Sequence, residues 1–129
     1  MRSRLECLLS AIAAYNKANI PGDPAYNANN PLRLQVFENG KPTFRLRQFG
    51  SIHSGQKACL FDLEMKCNGA SRADLGDHTV TSLMRTYSIH QGTEEYIVKY
   101  LHKAIGDPKI NTKTKLDYFV EAKNARPAD

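Results

Sequence analysis

The sequence predicts an α+β domain that is mostly helical and carries one small β-hairpin. Three observations lead there: an amphipathic opening segment stopped by "NIPGDP", two alternating stretches around an Asn-Gly pair, and helical periodicity beyond Phe49. With 129 residues and 41% hydrophobic content, the chain can fill one core and is too short for two ordinary domains. The domain is expected to occupy residues 1–122, with 123–129, ending "NARPAD", as a flexible tail.

The first helix is expected from residue 3 to 15 or 16, because Leu5, Leu8, Leu9 and Ile12 share one face. Two prolines and a glycine then end it, which leaves Asn16 at a helix C-terminus. A Pro/Gly/Asn-rich loop leads into "LRLQVF" and "TFRLRQF", each alternating apolar and polar. They flank Glu38-Asn39-Gly40-Lys41, whose Asn-Gly pair suits a type I′ turn, so residues 32–49 read as a hairpin. After Phe49 the period turns helical. "SGQKACLFDLEMKCNG" offers Ser54 as N-cap and Gly69 as stop, and "TVTSLMRTYS" offers Thr79 or Thr81. "TEEYIVKYLHKAIG" runs from Thr93 to Gly106 with Tyr96, Ile97, Tyr100, Leu101, Ala104 and Ile105 as its apolar stripe, and a short last helix is expected at 115–122.

Composition excludes several classes. The apolar runs fall far short of the roughly 20 residues of a membrane helix, so no membrane span is expected. The opening "MRSRLECLLSAIAA" imitates a signal peptide, but Glu6 interrupts its apolar patch, so no signal peptide is read there. Three cysteines make no closed disulfide framework. Cys59 and Cys67, eight residues apart on one helix, stand about 12 Å apart along its axis and read as buried free thiols. His53, His78, His90 and His102 lack metal-ligand spacing, so neither a metal nor a cofactor is expected. The net charge of +5 suits any anionic partner. The closest thing to a basic cluster, Lys99, Lys103, Lys109, Lys113 and Lys115, is interleaved with Glu94, Glu95, Asp107 and Asp117, so it reads as a solvated face and nucleic acid is not favoured.

The order helix, Asn-rich loop, hairpin and helices, together with four stretches, resembles lysozyme-like lytic transglycosylases, notably those that phages carry in their virions. "AIAAYNK" and "NANNPLRL" are similar to that family's A-I-A-x-x-E-G and N-N-N-P-G-N-L, "FGSIHSGQKA" is similar to F-x-S-x-x-x-G-x-x-A, and "TEEYIVKYLHKAIG", preceded by Tyr87, is similar to D-T-x-x-Y-I. The similarity spans about residues 5–116. It implies a lysozyme-like fold, peptidoglycan glycan strands and other virion proteins as partners, a virion or host-envelope location, and cleavage by one acid/base group. Asn29, Asn30, Tyr87 and Tyr96 become the implied sugar-contacting residues. Loop chemistry for the asparagines and core packing for the tyrosines stand as the alternatives.

One departure alters the implied function. The family's catalytic glutamate aligns with Asn16, and the glycine after it with Lys17. A carboxamide cannot hand a proton to a leaving sugar, whereas glycosidases need a carboxylic acid with a pKa raised to roughly 6. Glu6 lies about 15 Å back along the helix on another face, and Glu38 sits at the hairpin tip, so Asp23 in the loop is the remaining candidate replacement. Three functions compete: a cleaving enzyme, a catalytically dead wall-binding or structural virion protein, and a basic nucleic-acid-binding protein without a known motif.

Overall fold

A computed structural model describes residues 3–69, 75–89 and 92–124. Helix α1 (Arg4–Tyr15) starts on a reciprocal cap in which Ser3 Oγ accepts from Glu6 N and Glu6 Oε1 accepts from Ser3 N. It buries Leu5, Cys7, Leu8, Leu9, Ala11 and Ile12, the face its spacing predicts, and ends with Asn16 as C-cap. Burying each large apolar side chain stabilises the fold by about 1.5–3 kcal/mol, before chain entropy is set against it.

The loop after α1 is more regular than its composition suggests. Asp23 caps a four-residue helix, α2 (Pro24–Asn27), by accepting from Ala25 N, and Pro24 sits at N1 where its missing N–H costs nothing. The hairpin comes next as β1 (Gln35–Glu38) and β2 (Lys41–Leu46), the antiparallel two-stranded sheet of the described residues. Asn39 and Gly40 at its turn have φ of 55° and 77°, as a type I′ turn requires. Pairing is regular at Glu38↔Lys41 and Phe37↔Pro42 and resumes at Gln35↔Leu46, so Thr43, Phe44 and Arg45 bulge opposite Val36.

Helix α3 (Ile52–Cys67) corrects one expectation. Its N-cap is Ser51, whose Oγ accepts from Ser54 N; Ser54 is the third helical residue, since the helix begins one turn earlier than expected. Its end agrees with the sequence reading: Asn68 is the C-cap and Gly69 comes after it at φ 73°. Helix α4 (Val80–Thr86) takes Thr79 as its cap, and α5 (Glu94–Ile105) stops at Gly106 in the left-handed conformation. The buried face of α5 is rotated from the expected stripe. Glu94, Ile97, Val98 and Leu101 point inward, while Tyr96 is 49% exposed, because it packs edgewise beside α1 rather than beneath it. Helix α6 (Asp117–Asn124) begins and ends two residues later than expected, so the domain boundary at 122 falls inside a helix; of the tail, 125–129 lie outside the described residues.

Helix α1 is the hub and packs on α3, α5 and α6. It runs antiparallel to α5: Cys7 Sγ reaches Ala104 O at one end, and the Tyr15 ring meets Tyr96 at the other. Leu8, Ile12, Leu63, Leu83, Ile97, Leu101 and Phe119 fill the shared core. All three cysteines are buried and free. Among the described residues, no helix is long and apolar enough to cross a membrane.

Candidate functional site

The C-terminus of α1, the Asn-rich loop and the hairpin meet in one hydrogen-bonded assembly. Asn16 is 6% exposed, and its Nδ2 donates to Pro31 O at 2.9 Å. Its own carbonyl accepts from Arg33 Nη2 at 3.1 Å, and the same nitrogen pairs with Asp23 Oδ1 at 2.8 Å. Asp23 Oδ1 therefore serves both the α2 cap and the Arg33 ion pair. Lys17, which stands where the resembling family has glycine, has φ 60°, a backbone region in which glycine carries no Cβ penalty.

The two loop asparagines clamp the hairpin to the helices. Asn29, at φ 53°, donates to Phe49 O at 2.9 Å. Asn30 is fully buried; its Nδ2 donates to Leu34 O and Arg47 O, and its Oδ1 accepts from Leu34 N and from Cys59 Sγ on α3. Gly55, inside α3, makes this contact possible. A Cβ there would lie 1.6 Å from Asn29 O, so the helix backbone rests directly on the loop.

Further along α3 sits a second polar group. Tyr87 Oη donates to Asp62 Oδ2 at 2.6 Å, and Lys66 Nζ meets the same oxygen at 2.5 Å. The Lys66 ammonium also lies 4.6 Å from the centre of the Tyr87 ring. Burial first, then the Asp62 carboxylate, push the Tyr87 phenol far above its ordinary value, so it stays a donor. Burial likewise pushes the Cys59 thiol up to about 11 and the Cys67 thiol up to about 12, which makes both poor nucleophiles. Tyr96 belongs to a different group: its ring lies 6.0 Å from Tyr15, whose Oη reaches Thr93 Oγ1 at 3.5 Å.

Glu94 lies on the buried face of α5; its Oε2 is buried and has no hydrogen-bond partner among the described residues. That oxygen is sealed from solvent. A hollow of about 540 Å³ opens between α2 and β2, lined by Pro24, Asn27, Arg45, Leu46 and Gln48. Another, of about 490 Å³, lies at the start of α4 between Leu75, Gly76, Asp77, Ser82, Arg85 and Thr86. The structure thus joins Asn16, Asp23, Asn29 and Asn30 in one assembly, sets Tyr87, at the end of α4, against Asp62 of α3, and leaves Tyr96 exposed beside Tyr15. None of these six lines either hollow.

Sequence reasoning did not single out Arg33, Asp62, Lys66, Tyr15 or the two hollows. The i,i+4 spacing of Asp62 and Lys66 was a usable signal, and so was an isolated glycine inside a helical pattern. Arg33 gave none, because an exposed-looking arginine beside a strand has no local pattern. Among the described residues, no group of three or more His, Cys, Asp or Glu side chains could hold a metal ion. Comparison of the chain with family models, curated proteins and solved structures finds no match.

Proposed function

We propose that this chain is a lysozyme-like, peptidoglycan-directed phage domain that holds glycan strands, in the virion or at the host envelope, without cutting them. The observation that carries the reading is the amide of Asn16, which donates to Pro31 O where the resembling family has its proton donor. The other side chains of that corner are spent on structure: Asp23 on a cap and an ion pair, Asn30 on four internal contacts. Support for lysozyme-like ancestry comes from the order of elements and from Asn29, Phe49 and Gly55. Asn29 comes from one matching stretch and Phe49 and Gly55 from another, and Asn29 touches both. The hollow between α2 and β2 suits a sugar chain, since the polar residues Asn27, Arg45 and Gln48 line it beside the apolar Pro24 and Leu46.

The test is co-sedimentation with purified peptidoglycan, then mass analysis of the soluble fraction. The protein should pellet with the polymer and release no anhydro-sugar products, because losing a general acid removes about 10²- to 10⁴-fold in rate. Asn27→Ala with Gln48→Ala should weaken pelleting. Cleavage that survives Asn16→Ala and disappears on Asp23→Asn or Glu94→Gln would identify an enzyme with a relocated acid and overturn the non-cutting reading. No pelleting and no products would overturn the peptidoglycan assignment itself.

A further inference from the structure

The hairpin presents its aromatic side chains outward. Phe37 is 61% exposed and Phe44 is 83% exposed, on a two-stranded ribbon that buries neither. Phe44 also has φ 65°, where a bulky side chain meets its own carbonyl and glycine is the ordinary occupant. Local sterics would favour glycine and hydrophobicity would favour burial, so neither accounts for a phenylalanine at this bulge.

Charge surrounds the rings. From Arg33 to Phe49 the chain has four cations, Arg33, Lys41, Arg45 and Arg47, against the single anion Glu38, so this stretch holds most of the net +5. Arg33 is committed to Asp23. The Arg45–Glu38 pair is more than 60% exposed on both sides and, being worth little, opens readily to another anion. Lys41 comes directly after the turn, and the Arg47 guanidinium lies 5.0 Å from the Phe49 ring.

We infer that this hairpin is a binding surface for single-stranded nucleic acid, with Phe37 and Phe44 stacking on bases and Lys41, Arg45 and Arg47 meeting phosphates. Exposed rings interleaved with cations on a strand are what such a ligand needs, since every base has a stackable face and every linkage a charge. A lipid surface needs a broad apolar face to insert, and on this ribbon the exposed large apolar side chains are Phe37 and Phe44. A duplex keeps its bases stacked internally and leaves the rings without partners. The inference shares only Arg45 with the hollow of the peptidoglycan reading, so its tests rest on Phe44, Lys41 and Arg47, which do not line that hollow.

Fluorescence anisotropy with a labelled 12-nucleotide oligodeoxythymidine, its duplex form as a second probe, and soluble glycan strands and anionic vesicles as competitors tests it. The single strand should bind more tightly than the duplex, with a log K against log salt slope near −2, as about three neutralised phosphates give. Phe44→Ala should weaken binding about tenfold and leave the slope unchanged, while Lys41→Gln or Arg47→Gln should flatten the slope by about 0.7 each. Phe44→Gly separates binding from folding: it relieves the positive φ, so the melting temperature should hold or rise while affinity falls. Equal binding of duplex and single strand, unchanged affinity in Phe44→Gly, or Phe44-dependent binding seen only with glycan strands or vesicles would each overturn the assignment.

Discussion

Replacing Gly55 with alanine should destabilise the protein, although alanine is the better helix former. In an exposed helix the exchange would gain about 1 kcal/mol. Here the added Cβ would stand 1.6 Å from Asn29 O and 2.9 Å from Asn29 C, both backbone atoms that no rotamer change can move. An ordinary contact needs about 3.4 Å, so α3 and the loop must part by nearly 2 Å along that line. Such separation stretches the Asn29–Phe49 and Asn30–Cys59 contacts at once. Overpacking typically costs about 1–3 kcal/mol, and weakening one or two buried hydrogen bonds adds about 1–2 kcal/mol. After subtracting the propensity gain, a net loss of about 1–4 kcal/mol is expected. Urea denaturation should show a lower midpoint at unchanged m, and hydrogen exchange should quicken first at Leu34 and Phe49, the amides nearest the clamp. A variant as stable as the parent, or more so, would refute the close approach and with it the argument that the loop is locked onto α3.

The remaining predictions concern the same corner and the chain's titrating groups. Asn30→Ala strips partners from Leu34 N, Leu34 O and Arg47 O together and should cost about 3 kcal/mol in chemical denaturation. Lys17→Gly should stabilise by about 1 kcal/mol, read as a raised melting temperature, because it removes a Cβ from a left-handed position. Cys59 and Cys67, with thiols pushed up to about 11 and about 12, should react with a thiol reagent near pH 8 only as fast as the protein opens; labelling in seconds under native conditions would contradict their burial. Asp77 and Asp107 have folded pKa values held below 3.8, Asp77 first by the Ser82 hydroxyl and Asp107 first by the Lys109 N–H. Their contribution is therefore present above the unfolded value and lost as pH falls through the lowered folded one. Asp107→Asn should lower the melting temperature near neutrality, make it less steep against pH on the acid side, and converge on the parent at low pH.

Much of the fold was legible because its signals were local. The face of α1, the Asn39-Gly40 turn, and the glycine stops at Gly69 and Gly106 each depend on residues within a few positions of one another. The misses were also local conflicts. Ser51 and Ser54 both satisfy the preference for a hydroxyl at a helix start, and Ser51 takes the role by accepting from Ser54 N. The α5 stripe was misread because two tyrosines counted as apolar, whereas the fold buries Val98 and leaves Tyr96 exposed beside Tyr15.

The candidate site was less legible because its residues act across the chain. Asn16 was identified as an amide in an acid's position, but what the amide does depends on Pro31, fifteen residues later, and on Arg33 turning at φ 56° to bond the Asn16 carbonyl. A buried carbonyl needs a donor, and a carboxylate at position 16 would offer Pro31 O only another acceptor. The amide therefore stabilises the very corner where a proton donor would have to be left unsatisfied and poised. The hairpin shows the same limit from the other side. Its cations are spread singly between Arg33 and Arg47, so no run of charge marks them, whereas the longer lysine series near the C-terminus attracted the reading. The register shift that sets Thr43, Phe44 and Arg45 against Val36, and the exposure of Phe44, cannot be read from strand alternation alone.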